Sequence, residues 1–102
     1  MRTYNVVVGP GAMSDIDAMV DYVRGFYFEE TAQKYREIIL YNLESLSFSA
    51  GSFAPSRYQT ARRIHPEART LSIMNHRWTV VFHVEGEYVI VDRILPSSMM
   101  VD

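Results

Sequence analysis

Three residues in the last third of the chain have the types and spacing of a small binding site. Arg77 and Thr79 alternate along a run of β-branched and aromatic residues, and Asp92 lies in a second such run. If the two runs pair as antiparallel strands, Asp92 faces Thr79 and Arg77 lies on its diagonal. A guanidinium and a carboxylate at the end of a sheet either form a structural salt bridge or line a charged pocket. Both interpretations stay open, and Arg77 is the one weak candidate for a catalytic residue.

Other kinds of reactive site lack their sequence signals. Gly9-Pro10-Gly11 has neither the third glycine nor the lysine of a phosphate-binding loop. The histidines lack metal-ligand spacing, so we expect His83 to be a hydrogen-bonded residue of a strand. No serine lies in a Gly-x-Ser-x-Gly motif. We therefore expect no metal and no cofactor, and the sequence leans against an enzyme.

The two runs that carry Arg77, Thr79 and Asp92 predict a β-hairpin from His76 to Leu95. With a two-residue turn at Glu85-Gly86, Val84 faces Glu87 and the register follows. One face, the expected floor of the core, then holds Trp78, Val80, Phe82, Val84, Val89, Val91 and Arg93. The other face holds Arg77, Thr79, Val81, His83, Tyr88, Ile90, Asp92 and Ile94.

The rest of the chain predicts the elements that must support this hairpin. A first strand over residues 2–8 ends at Gly9, and an apolar stripe of helical period then runs from Ala12 to Phe26 or Tyr27. A second helix is expected from Glu29 to Ser47, then a loop over 47–56, a short helix within 56–64 and a strand over 70–74. The chain 1–102 is thus one α+β domain of order β-α-α-β-β-β. We expect an antiparallel sheet with the N-terminal two-helix hairpin packed on one face.

Composition and charge restrict the class of protein. Hydrophobic residues make up 48% of the chain, but no apolar run approaches the ~20 residues that span a bilayer. Cysteine is absent, and no leader precedes the domain, so we expect a cytoplasmic protein with no membrane contact. The net charge is −2, yet residues 49–78 carry five arginines against Glu67 alone. That basic stretch either meets an anionic partner or pairs with the acidic helices.

Three segments together resemble the RelE/ParE toxin superfamily. They are the opening VVVGPGAMSDIDAMVDYV, the second-helix ending NLESLSF and the closing RWTVVFHVEGEYVIVDRILPSSM. The resemblance extends over nearly the whole chain and is most specific at Phe82–Gly86 and Val91–Leu95. It implies a RelE/ParE-like fold and a toxin of a type II toxin–antitoxin pair, associated with plasmid stabilisation and held in a hetero-oligomer by a cognate antitoxin.

Within that family, RelE-like members cleave mRNA on the ribosome with basic residues, whereas ParE-like members inhibit DNA gyrase. The resemblance places Thr79 where RelE-like members have a strand arginine, and Thr70, Ser72 and Met99 where they have other basic residues. Pro96 stands where ParE-like members have a histidine. The ParE-like branch is favoured, and the alternatives are an mRNA endonuclease or a non-toxic interaction module. We expect the target or antitoxin to be bound by Arg62, Arg63, Arg77, Thr79, Asp92, Arg93, Met99 and Met100.

Overall fold

The structure is a computed structural model that describes residues 3–102. The first strand was expected over residues 2–8. Arg2 lies outside the described residues, and within them the strand begins at Asn5. The strands are β1 (Asn5–Val8), β2 (Arg69–Ile73), β3 (Trp78–Glu85) and β4 (Tyr88–Pro96). The helices are α1 (Pro10–Arg24), α2 (Glu29–Glu44), α3 (Leu46–Ser49) and α4 (Gln59–Ile64), with 3₁₀ turns at Ala50–Ser52 and Ser97–Met99.

The four strands form one sheet in the order β1-β4-β3-β2. The last three strands are antiparallel, and β1 pairs in parallel with β4 from Asn5↔Tyr88 to Val8↔Val91. This parallel pairing makes the sheet mixed, because the helical hairpin carries the chain from β1 across the sheet. The α+β class, the element order and the two N-terminal helices are confirmed.

The two long helices start and bury their apolar faces for local reasons. Pro10 opens α1, where its missing N–H costs nothing, and Glu29 opens α2, where its charge suits the helix dipole. Their buried stripes pack on one face of the sheet. This core comprises Ala12, Ile16, Met19, Val20, Val23, Ala32, Ile39, Leu43, Leu46, Ala50, Ile73, Val80, Phe82, Val89, Val91 and Ile94.

A smaller apolar cluster lies on the opposite face of the sheet, beneath α4. Ala61, Ala68 and Val81 are fully or almost fully buried there, and Ile64 and Met100 pack against them. The sheet is thus covered partly on its second face as well.

The β3–β4 turn lies one residue later than the sequence predicts. Glu85 pairs with Tyr88, so the two loop residues are Gly86 and Glu87. Gly86 has φ of +60°, as a type II′ turn requires at its first position. The partner of every β4 residue therefore shifts by two, which keeps Val89 and Val91 on the predicted face.

A β-bulge at Asp92 reverses the faces beyond it. Phe82 pairs with Val91 but Val81 pairs with Arg93, so Asp92 is the extra residue. Ile94 then lies opposite Val80 and is 2% exposed in the core. The predicted positions of Arg93 on the core face and Ile94 on the other face are both wrong.

Two further boundaries differ from the sequence-based expectation. The second helix ends at Glu44 rather than at Ser47, and the expected loop contains α3 and a 3₁₀ turn. Ser45 Oγ donates to the Asn42 carbonyl, and Ser49 Oγ donates to the Ser45 carbonyl. Serine hydroxyls thus form local hydrogen bonds with backbone carbonyls in this segment.

Candidate functional site

An open groove lies between the α1–α2 hairpin and the end of the β3–β4 hairpin, with a cavity volume of about 810 Å³. Its walls are mostly apolar and aromatic. They comprise Asp15, Ala18, Met19, Tyr22, Val23, Tyr27, Thr31, Tyr35, Arg77, Trp78, Arg93, Ile94, Leu95, Pro96 and Met99. A large concave apolar surface with a few polar groups is where proteins commonly bind partners.

One side of the groove is fixed by a bidentate ion pair between α1 and β4. Arg93 Nε donates to Asp15 Oδ2 at 2.7 Å, and Arg93 Nη2 donates to Asp15 Oδ1 at 3.0 Å. The backbone N–H of Ile94 also donates to Asp15 Oδ2, at 2.9 Å. Hydrogen bonding and attraction to the Asp15 carboxylate raise the pKa of Arg93, against a lowering by desolvation. This pair neutralises one of the two cations of the groove.

The close contact of α1 and β4 depends on Gly11. A Cβ there would lie 2.9 Å from Arg93 Cδ and 3.0 Å from the Asp92 carbonyl oxygen. The bulge and this glycine together let the Arg93 side chain reach Asp15, which no alternation pattern predicts.

Arg77 supplies the second cation, from the β2–β3 turn. Met74, Asn75 and His76 all have positive φ, and the Arg77 carbonyl accepts from the Ser97 N–H at 2.9 Å. Arg77 is exposed and forms no ion pair within residues 3–102. The groove therefore offers aromatic walls and one unneutralised guanidinium.

The predicted group of Arg77, Thr79 and Asp92 is not assembled. Asp92 Oδ2 lies 2.6 Å from His83 Nδ1, and Thr79 Oγ1 lies 2.8 Å from Ser97 Oγ. The salt bridge between Asp92 and Arg77, one of the two interpretations of this group, is not formed, because the bulge turns Asp92 toward His83. The prediction that His83 is a hydrogen-bonded strand residue is confirmed.

His83 also contacts a second histidine. The rings of His65 and His83 stack at 3.7 Å with an interplanar angle of 3°. His83 Nε2 lies 3.4 Å from Glu85 Oε2, and His65 Nδ1 accepts from the Glu67 N–H. Among residues 3–102, no three His, Cys, Asp and Glu side chains form a group that could hold a metal ion.

The remaining predicted site residues lie in separate places. Arg62 and Arg63 are exposed in the last turn of α4, whereas Met100 packs into the small cluster beneath that helix. Met99 lines the groove with Arg77 and Arg93. The backbone of residues 99–101 is held to α4, where Gln59 N–H donates to the Val101 carbonyl and Thr60 Oγ1 to the Met99 carbonyl.

Aromatic residues at the α1–α2 connection are a feature that the sequence-based interpretation missed. Tyr22, Phe26, Tyr27 and Phe28 are 71%, 70%, 65% and 86% exposed, so the assignment of Phe26 or Tyr27 to the core stripe is wrong. Arg24 bridges this connection, because its Nε donates to Glu29 Oε2 at 2.6 Å.

A solved structure resembles this chain over nearly its whole length. It is described as a chromosomal ParDE TA system from P. aeruginosa, is 22% identical and superposes with a TM-score of 0.76. The match covers 98% of this chain and 98% of that chain. The chain has a RelE/ParE-like fold. No protein-family model matches the sequence, and the search of curated proteins gives no match.

In this RelE/ParE-like fold, the positions that the family resemblance assigns to RNA-cleaving basic residues hold small or apolar side chains. Thr70 and Ser72 lie on the edge strand β2, and Thr79 on β3 is only 4% exposed. Met99 follows β4. None of these four side chains carries a charge. No helix among the described residues has the length and apolar character needed to cross a membrane.

Proposed function

We propose that this chain is the toxin of a type II toxin–antitoxin pair, and that a cognate antitoxin neutralises it. The observation that carries this proposal is the full-length structural match to a ParDE TA system. We further propose that it acts by binding its target, in the ParE-like manner, with DNA gyrase as the leading candidate and plasmid stabilisation as the role.

Action by binding is supported by the chemistry of the sheet face. Cleavage of a phosphodiester by the RNA 2′-OH needs a proton donor, a proton acceptor and stabilisation of developing negative charge. The Thr79 hydroxyl is bonded to Ser97 and is shielded from solvent, and Thr70, Ser72 and Met99 provide no cation. Arg77 lies in the groove at the sheet end, away from Asp92 and His83.

We propose the groove as the antitoxin site. Its aromatic and aliphatic walls suit an apolar antitoxin segment, and Arg77 suits a carboxylate on that segment. The lining includes Tyr22 and Tyr27, which are largely exposed, so a bound segment would cover aromatic surface that otherwise faces solvent. The partnership also explains why the chain leaves so many aromatic side chains in solvent.

The test is co-expression with the protein encoded by the adjacent reading frame, followed by co-purification. Two substitutions in exposed groove positions, Arg77→Glu and Tyr22→Asp, should each weaken the complex at least tenfold while leaving the circular dichroism spectrum unchanged. Arg57→Glu, an exposed charge reversal outside the groove, is the matched control and should bind normally. A soluble monomer that binds no adjacent product would refute the proposal.

A ribosome-dependent mRNA endonuclease is the second candidate. The exposed side chains of Arg57, Arg62 and Arg63 form no ion pair with any residue in the range 3–102. They favour this candidate, since such a surface can contact phosphates. Purified protein that cuts mRNA on ribosomes, with cutting lost in the Arg77→Ala variant, would favour this candidate over the first.

A further inference from the structure

Helix α2 carries a second apolar surface that faces away from the core. Ile38 and Tyr41 are 50% and 77% exposed, although neighbouring Ile39 and Leu43 are buried beneath the helix. Lys34, Glu37, Ile38 and Tyr41 line an open depression of about 480 Å³. The spacing of 34, 38 and 41 places these side chains on one side of the helix. We name Lys34, Glu37, Ile38, Tyr41 and Glu44 the α2 stripe.

Among residues 3–102, the charged side chains of the α2 stripe lack ion-pair partners. Several other charged residues of the hairpin are paired, as Arg36 is with Asp17 at 2.9 Å. Lys34, Glu37 and Glu44 are exposed and form no ion pair within residues 3–102. An exposed apolar centre flanked by unpaired charges of both signs is typical of an interface with a polar rim.

The order of these charges matches a second copy of the same helix. Lys34 and Glu44 lie equally far before and after residue 39. Ile38 and Tyr41 are centred at nearly the same point, between residues 39 and 40. When two identical helices cross antiparallel about a two-fold axis at this point, each residue before the axis meets one after it. Lys34 of each copy then faces Glu44 of the other, and Tyr41 of each copy enters the depression beside Ile38 of the other.

We propose that the α2 stripe is a self-association surface, through which two copies of this chain pair antiparallel. The interface is separate from the groove, since the α2 stripe shares no residue with the groove lining. One dimer could therefore hold two groove-bound antitoxin segments at once. The inference goes beyond the toxin–antitoxin proposal and stands or falls independently of it.

The test is sedimentation equilibrium of the purified full chain over a range of concentrations. We expect a reversible monomer–dimer equilibrium for the wild type. Lys34→Glu places like charges opposite each other twice, so we expect about a tenfold rise in the dimer dissociation constant, or about 1.4 kcal/mol. Glu44→Lys should have the same effect. The double variant Lys34→Glu/Glu44→Lys restores opposite charges and should return the dissociation constant to near the wild-type value.

Recovery in the double variant excludes simple unfolding as the cause of the single-variant losses. Tyr41→Ala should also weaken the dimer, because it removes the apolar contact with Ile38 of the other copy. Arg57→Glu, an exposed charge reversal outside the α2 stripe, should leave the dimer unchanged. A wild type that stays monomeric at every concentration overturns the proposal. So does a dimer that ignores both charge reversals, or one that the double variant fails to restore. If the wild type does not self-associate and Lys34→Glu loses antitoxin binding, the α2 stripe belongs to the antitoxin interface. That result also overturns the proposal.

Discussion

The ion pair between Asp15 and Arg93 makes a sharp prediction about stability. The Asp15→Ala variant removes the only carboxylate that Arg93 contacts within the described residues, and it leaves the backbone N–H of Ile94 without its acceptor. The Asp15 side chain is 17% exposed and that of Arg93 is 42% exposed. Water can therefore solvate much of the released guanidinium, but little of the Ile94 amide, whose residue is 2% exposed.

The magnitude follows from these exposures. Leaving a buried amide donor unsatisfied costs about 1–3 kcal/mol, and a hydrogen bond to a charged group contributes about 1.5–3 kcal/mol before solvent compensates. Because water solvates the exposed Arg93 guanidinium in the variant, the second contribution is reduced. We therefore expect Asp15→Ala to lower the free energy of unfolding by about 2–3 kcal/mol. For a domain of this size that corresponds to a fall in Tm of roughly 10–20 °C.

Asp17→Ala is the matched control for this measurement. Asp17 is on the same helix and also pairs with an arginine, Arg36 Nη2, at 2.9 Å, but its side chain is 55% exposed. An exposed pair contributes about 0.2–1 kcal/mol, and the gain in helix propensity on substitution by alanine is the same at both sites. Urea unfolding followed by circular dichroism gives both values. Equal losses in the two variants, or a loss below about 0.5 kcal/mol in Asp15→Ala, would contradict the stabilising role assigned to Asp15.

Two further predictions concern the core and the α1–α2 connection. Phe82 is 0% exposed and packs edge-on against Phe53 at 5.5 Å, so Phe82→Ala should cost about 3–5 kcal/mol in urea unfolding, and a cost below about 1 kcal/mol would contradict the assignment of the sheet faces. Hydrogen bonds from Arg24 and Gln33 lower the pKa of Glu29, so its contribution to stability is present above the ordinary glutamate pKa and lost as the pH falls through the folded-state pKa. Glu29→Gln should therefore lower Tm slightly at neutral pH and leave it unchanged in strong acid; a difference that grows toward low pH would contradict this sign.

The elements of the fold could be predicted from the sequence because each follows a local rule. Helical spacing located α1 and α2, and β-branched runs around Gly86 located the hairpin. The break in alternation after Val91 was visible too, since the next apolar residue of that series is Ile94 and not Arg93. A bulge accounts for this break, but strict alternation was assumed, and the faces of two residues were therefore reversed.

The site was less predictable because distant residues build it. Asp15 and Arg93 are 78 positions apart, and their contact depends on the bulge and on the close approach of Gly11 to β4. Neither the bulge nor the glycine indicates by itself that Arg93 pairs with Asp15. The groove also needs the tilt of the hairpin of helices relative to the sheet end, which no periodicity specifies. Three of the predicted binding residues, Arg77, Arg93 and Met99, line the same groove, whereas Thr79 and Asp92 have partners of their own.

The central proposal, a toxin that acts by binding, is tested most directly by measuring DNA synthesis and mRNA integrity in one culture after induction of this chain. Losing one charge-stabilising donor typically raises the catalytic barrier by about 2.7–4 kcal/mol. None of the side chains at the four positions where RelE-like members have basic residues, namely Thr70, Ser72, Thr79 and Met99, is a cation. We therefore expect DNA synthesis to stop early while mRNA stays intact, and co-induction of the adjacent antitoxin to restore synthesis. Early cutting of mRNA at codon boundaries, with DNA synthesis continuing, would contradict it.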